Sequence, residues 1–283
     1  MLRVKDALLT QACFFNAQEV RVSENARPEA RCVGRQPPLA KCKTCRENYR
    51  LDRMETDIEK LIYVLMDGAE GQGSLVERMA EGVVSAARSA GAERLAVFVP
   101  DYTDEIRERC AGRLGGAIDR LSSVFECWVP ALDSRGAIEE ALSPLAGEVW
   151  GYLVTESTLA ECPHAVDDGE RVPGITQWGI NDKPKGVALD DFYREWAVHS
   201  KLSFDLHPTR QSYIRNAVAR RLTTSAPAYL GIVLERFPRL EDFVDESIYF
   251  GDPAVVREMI QHVPSFYDFA TAMTGGLSEY RWS

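Results

Sequence analysis

The sequence predicts an α+β chain made of two tandem β-α-β-β-α-β units, and three observations carry that reading. Short apolar runs of strand length alternate with stretches of helical period from Glu59 onward. The order of those elements over residues 59–156 recurs over residues 174–283 without obvious residue identity. Between the two tracts, residues 158–173 hold Pro163, Pro173, Gly169 and the acidic cluster Asp167, Asp168, Glu170, the composition of a polar connector.

In the first tract, Leu61 to Met66 is a strand run, and Ser74 to Ala90 places Leu75, Met79, Val83 and Ala86 on one helical face. Leu95 to Val99 is a second strand, ended by Pro100. A helical stretch near Glu105 to Leu121 precedes a third strand, Val124 to Val129. Ser134 to Leu145 is then a short helix and Val149 to Thr155 a fourth strand. In the second tract Ile175 to Ile180 is a strand and Asp190 to Leu202 a helix whose first turn carries Asp190 and Asp191, favourable at its positive end. Ser212 to Leu222 and Tyr229 to Phe237 are strands, Leu240 to Phe250 and Pro253 to His262 are helical, and the last strand lies within Phe269 to Tyr280.

Each tract thus follows the split-βαβ, ferredoxin-like plan. A four-stranded sheet with helices on one face leaves its other face to be covered, and packing two such sheets together satisfies both. The expected architecture is therefore a tandem ferredoxin-like, dimeric α/β-barrel-type pseudo-dimer within one chain, its sheets closing on a ligand-sized interior. The divisions are a disordered basic leader, 1–56; a first, diverged unit, 57–157; the connector, 158–173; and a second unit, 174–283. Edge strands left unclosed would support a homodimer.

Composition narrows the function classes. Of 283 residues 45% are hydrophobic and 27% charged, an ordinary globular balance, and no apolar run approaches the roughly 20 residues of a membrane span. Residues 1–53 carry 11 Lys+Arg against 6 Asp+Glu, so the overall charge of −10 leaves the rest of the chain strongly acidic. An acidic body repels phosphate backbones, and no nucleic acid partner is expected. The seven cysteines, with no apolar signal-like segment at the start, are expected as reduced thiols in a cytoplasmic protein. Cys13, Cys32, Cys42 and Cys45 lack the paired CxxC spacing of a zinc site, and Met54 opens the regular tract as an alternative start. Gly68, Gly71 and Gly73 between strand and helix lack the Lys-Ser/Thr ending of a phosphate loop.

The second unit resembles the EthD-like group of dimeric α/β-barrel proteins in a specific combination of residues. These are Phe192-x3-Trp196-x2-His199 on the first helix and Tyr213-x2-Asn216 on the second strand. Pro227-Ala228-Tyr229-x-Gly231-Ile232 lies at the third strand, followed by the run Phe266 to Phe269. The match covers about 110 residues, and the first unit lacks a counterpart of His199. The chain departs from the pattern on the third strand, where Leu230 and Leu234 stand and Glu235 falls on the other face. The resemblance implies the barrel fold and small-molecule chemistry on aromatic or polyketide-like compounds.

His199 is the candidate catalytic residue, because imidazole titrates near neutral pH and its apolar helical stripe of Leu189, Phe192 and Trp196 suggests a dry pocket. The competing reading is a core histidine that bonds helix-end carbonyls. His207, before Pro208, is expected in a solvent-facing loop, and His164 and His262 as bystanders. Trp178, Trp196, Tyr213, Asn216 and Tyr229 are the candidate substrate-binding residues, with a flat apolar ligand held in the barrel. No cofactor and no metal are expected. The functional expectation is a cofactor-independent lyase, cyclase or oxygenase using His199 for proton transfer. The alternative is a non-catalytic accessory or ligand-carrier protein of an oxidative degradation system.

Overall fold

A computed structural model describes residues 59–69, 71, 73–161 and 166–283. The leader, its cysteines and His164 lie outside the described residues. Eight strands are present: β1 (Glu59–Gly68), β2 (Glu93–Val99), β3 (Leu121–Val129), β4 (Ala146–Ala160), β5 (Arg171–Asn181), β6 (Ser212–Arg221), β7 (Gly231–Phe237) and β8 (Met273–Trp282). The helices are α1 (residues 75–89, with a π-helical middle at Met79–Val84), α2 (Thr103–Cys110), α3 (Gly136–Leu142), α4 (Leu189–Leu206), α5 (Leu240–Val244), α6 (Glu246–Tyr249) and α7 (Pro253–His262).

The strands close into one antiparallel barrel in the order β1-β3-β2-β8-β5-β7-β6-β4. Reading either half alone gives the sequence β4-β1-β3-β2 and its counterpart β8-β5-β7-β6, the ferredoxin-like arrangement twice. The halves join reciprocally, β2 to β8 and β4 to β6, so each edge strand of one sheet finds the opposite edge strand of the other. The pseudo-dimer expected from the repeated pattern is what closes the sheet, and closure removes the open edges.

Strand alternation then makes three cores. Leu61, Tyr63, Leu65, Phe125 and Cys127 face α1 and α3. Ile175, Phe237 and their neighbours face α4 to α7. The intervening residues, among them Ile62, Val64, Phe98, Val124, Trp178 and Ile232, fill the lumen. Full burial of each such side chain stabilises the fold by about 1.5–3 kcal/mol.

Several boundaries differ from the sequence expectation, each for a local or tertiary reason. The helix expected over 105–121 stops at Cys110, because Gly112, Gly115 and Gly116 follow, with Gly116 at φ +64° and Gly115 bridged to Thr274. The connector is largely strand: β4 runs on to Ala160 because β6 pairs with it beyond Val154, where its pairing with β1 ends, and β5 already starts at Arg171. β8 begins at Met273 rather than near Phe269. The glycine turn before α1 ends in a capping box, Ser74 N donating to Glu77 Oε2 at 2.7 Å and Glu77 N donating to Ser74 Oγ at 3.2 Å, so a carboxylate already serves that helix start.

Gly174 holds the bend inside β5 at φ +100°, where an added Cβ would lie 2.2 Å from the Phe237 carbonyl oxygen. A Gly174→Ala chain is expected to lose about 1–3 kcal/mol of stability, seen as a lower denaturant midpoint at unchanged slope.

Candidate functional site

α4 is built to bury one face. Phe192, Trp196, His199, Ser200, Leu202, Ser203 and Leu206 are all buried, whereas Asp190, Asp191 and Lys201 stay outside. The helix runs one turn further than the sequence suggested, to the residue before His207, and ends where Pro208 makes an extended residue preferable. His199 therefore sits inside the helix, two turns from its C-terminus. Ser200 and Ser203 make internal back-bonds, Ser200 Oγ to the Trp196 carbonyl at 2.8 Å and Ser203 Oγ to the Ser200 carbonyl at 3.1 Å, which keeps their hydroxyls satisfied in a dry interface.

The His199 ring is 3% exposed and packs against Phe266, with ring centroids 4.7 Å apart. Burial holds its pKa well below the ordinary histidine value, and the positive charges of His262, Arg215 and Arg210 push the same way. The imidazole is thus neutral at pH 7. It opens on a cleft between the β5, β7 and β8 face and the helices, walled by Arg113, Gln177, Asn181, Trp196, Tyr213 and Tyr267. The cleft measures about 40 Å³, space for a few waters; a cavity that takes benzene is roughly 150 Å³. A cleft of this size is too small for an aromatic ring as it stands.

The sequence-derived substrate residues divide between the two faces of the sheet. Trp196 and Tyr213 stand with His199 on the helix face of the sheet. Trp178 and Asn216 point into the lumen, on the other side of the wall. Tyr229 is half-buried beside Trp150 in the lumen, with its hydroxyl donating to the Thr271 carbonyl at 2.8 Å. The expectation that Trp178, Tyr213 and Tyr229 share one pocket fails on strand alternation, and His199 faces the helix-side cleft, outside the barrel interior. His207 is a second correction. It is buried, its Nδ1 lies 2.9 Å from the Tyr249 carbonyl, and Phe237, Tyr249 and Phe250 surround it, a structural role. His262 bonds Glu195 at 2.9 Å across the helix pair.

A polar network lies beneath α4, built on Arg210 and Arg215, which the sequence offered as carboxylate holders or salt-bridge partners. Arg210 donates to Glu235 and, at 3.1 Å, to Ser203 Oγ. Arg215 donates to Ser200 Oγ at 2.7 Å and lies over the Trp196 ring at 4.2 Å, and Ser200 Oγ is 3.3 Å from the Tyr213 hydroxyl. Glu235 is fully buried, and burial lifts its carboxyl to about 7 although Arg210 opposes the shift. The Tyr213 hydroxyl is pushed up to about 12 by burial and by Glu235. Glu235 belongs to the helix face, which is also the face of His199. The alternation of Leu234 and Glu235 was readable in the sequence; that the histidine would share the carboxylate's side was not.

Among the described residues no group of three His, Cys, Asp or Glu side chains is placed to hold a metal. No helix among them is long and apolar enough to cross a membrane. No protein-family model and no curated protein sequence matches the chain. Similar solved structures include a candidate monooxygenase from Lactobacillus acidophilus NCFM, 10% identical with a TM-score of 0.44, covering 78% of this chain and 93% of that one. An anthrone oxidase-like protein is 8% identical with a TM-score of 0.45, covering 80% of this chain and 92% of that one. A mutant chlorite dismutase from Candidatus Nitrospira defluvii is 11% identical with a TM-score of 0.40, covering 77% and 91%.

Proposed function

We propose that this chain is a small-molecule enzyme of the cofactor-independent type, with His199 as its proton-transfer group. One observation carries the reading: a neutral imidazole is buried at an aromatic cleft that Arg113 also lines, with the positive charges of Arg215 and Arg210 near enough to act on it. The same burial and positive charge that keep the imidazole neutral oppose its protonation in the empty cleft, and a phenolate or enolate formed beside it offsets that charge, so the step proposed is removal of a proton from a phenol or an activated C–H. The imidazole nitrogen takes the proton, the bonding electron pair stays on the substrate as phenolate or enolate, and the cations stabilise that anion as it forms. The EthD-like motif residues Trp196, His199 and Tyr213 meet at this cleft, which supports the same reading. A homodimer, if formed, would use surfaces other than the strand edges, which pair within the chain.

The test starts from ligands recovered on the full chain by native mass spectrometry and then assayed for conversion. Replacing His199 by Gln, which keeps a polar group of similar reach, is expected to lower the chemical step by about 10²- to 10⁴-fold. Unchanged turnover per folded molecule would reject His199 as the base. A second reading, a non-catalytic carrier, is favoured by a different observation: a cavity of about 430 Å³ lies at one end of the lumen and does not include His199. Captured ligand released chemically unaltered by both chains would establish that second reading.

A further inference from the structure

Two properties of the cleft at His199 stand apart from the histidine itself: its size and the sign of its charge. One enclosed water needs roughly 10–15 Å³, so the cleft's volume of about 40 Å³ suits about three non-hydrogen atoms. Among the described residues that line it there is no Asp or Glu, and Arg113 supplies a formal positive charge. Glu235, the carboxylate that acts on Tyr213, is fully buried in its pairing with Arg210 and stays out of the lining. The positive charges of His262, Arg215 and Arg210 act on the His199 ring from behind that lining.

Arg113 is fixed in place. It ends the turn at Ala111–Arg113 that follows α2, is 4% exposed, and its Nε donates to the Phe243 carbonyl at 3.0 Å. Its guanidinium lies 3.4 Å from the Tyr249 ring centroid and 4.8 Å from that of Phe250, so aromatic faces surround the charge. In such low-polarity surroundings its pull on an anion is stronger than in water. Two neutral donors accompany it. Gln177 Oε1 accepts from the Tyr249 hydroxyl at 2.6 Å, which leaves the Gln177 amide N–H to the cleft, and no acceptor among the described residues takes it. Tyr267 lines the cleft too; its hydroxyl has no acceptor among those residues, and burial keeps it protonated. Unlike the indole Nε1 of Trp178, both donors keep contact with solvent.

We propose that this cleft is a binding site for a small carboxylate of formate or acetate size. The carboxylate oxygens lie toward Arg113 and accept from the Gln177 amide and the Tyr267 hydroxyl, a charge-assisted set that suits a planar anion. Binding of this kind rests on the lining charge, the donors and the size of the cleft, and does not need His199 to act as a base.

Titration of the full chain with isotope-labelled formate, followed by the line width of its NMR resonance, tests this. Formamide is the neutral counterpart of the same size and benzoate the oversized anion. Saturable formate binding is expected, with formamide weaker by about tenfold or more, the scale of one charge-assisted hydrogen bond, and benzoate unable to displace formate. Arg113→Gln, which removes the charge, and Gln177→Glu, which keeps the Tyr249 contact and sets a like charge in the cleft, should each weaken formate by about tenfold or more. Val233→Phe, which fills the cleft and touches no charge, should abolish binding. Absence of saturable formate binding, equal affinity for formamide, displacement by benzoate, or unchanged affinity in a folded Arg113→Gln chain overturns the proposal. Should Arg113→Gln fail to fold, unchanged affinity in a folded Gln177→Glu or Val233→Phe chain overturns it. Binding is read here without turnover, so lost conversion in His199→Gln bears on the base alone.

Discussion

Replacing Arg210 by Met is expected to destabilise the fold by about 3–5 kcal/mol at pH 8, because it strips Glu235 of the charged partner it has among the described residues in a fully buried place. Both side chains of the pair are essentially without solvent contact, so no water replaces the lost guanidinium. The penalty depends on pH in a defined sense. Burial raises the folded-state carboxyl of Glu235 to about 7, above its unfolded value, so the folded chain binds the proton more readily. Stability from this group is therefore fully present below the unfolded pKa and declines as pH rises through the folded one. Without Arg210 the folded pKa rises further, and the difference between wild type and variant is greatest at pH values above both. Below about pH 7 the carboxyl is neutral in both proteins, and the gap narrows to the lost hydrogen bonds and the packing of Arg210 over Tyr213 and Phe204. Chemical denaturation of the two chains at pH 8 and pH 5.5 measures it. A gap that is the same or larger at the lower pH would show that Glu235 is not the group responsible.

Trp178→Ala should cost a similar amount, about 3–5 kcal/mol, for an unrelated reason. The indole is fully buried in the lumen, among Ile62, Val64, Phe98 and Leu234 from strands of both halves, and its removal leaves a void that neither sheet can fill. Trp178→Phe separates packing from polarity. The indole Nε1 is buried with no hydrogen-bond partner among the described residues, so phenylalanine discards an unsatisfied donor while keeping most of the ring. Its loss is expected to be under half that of the alanine variant, read from urea midpoints. Equal losses would mean that the indole edge, and not the ring volume, holds the two sheets together.

The two variants probe opposite sides of one wall, and that wall is where sequence reasoning reached its limit. Alternation along β6 separates Tyr213 and Arg215 from Asn216, and along β7 it separates Leu234 from Glu235, so the grouping of residues by face was legible residue by residue. Which face would look into the barrel was not, because period-2 patterning is the same for either orientation when both faces are buried. Placing His199 and its aromatic neighbours in the barrel was a natural expectation from helix and strand motifs, and only the packing of α4 on the outer face put them elsewhere. The burial of His207 is similar: its position before Pro208 set its backbone, while Tyr249, distant in sequence, supplied its partner.

The sequence by itself determined the eight strands, their order and their duplication, while the helix expected over 240–250 divides into α5 and α6 and the one expected over 105–121 stops at Cys110. Strand runs depend on contacts within a few residues, where spacing is information. The tertiary structure alone decided that the two sheets join β2 to β8 and β4 to β6, that His199 and Glu235 share the helix face, and that Lys60, Glu126 and Glu279 meet inside the lumen. Those residues are brought together by strand pairing between opposite ends of the chain, and a buried charge is tolerable at each position only because closure of the barrel delivers its partner from another strand.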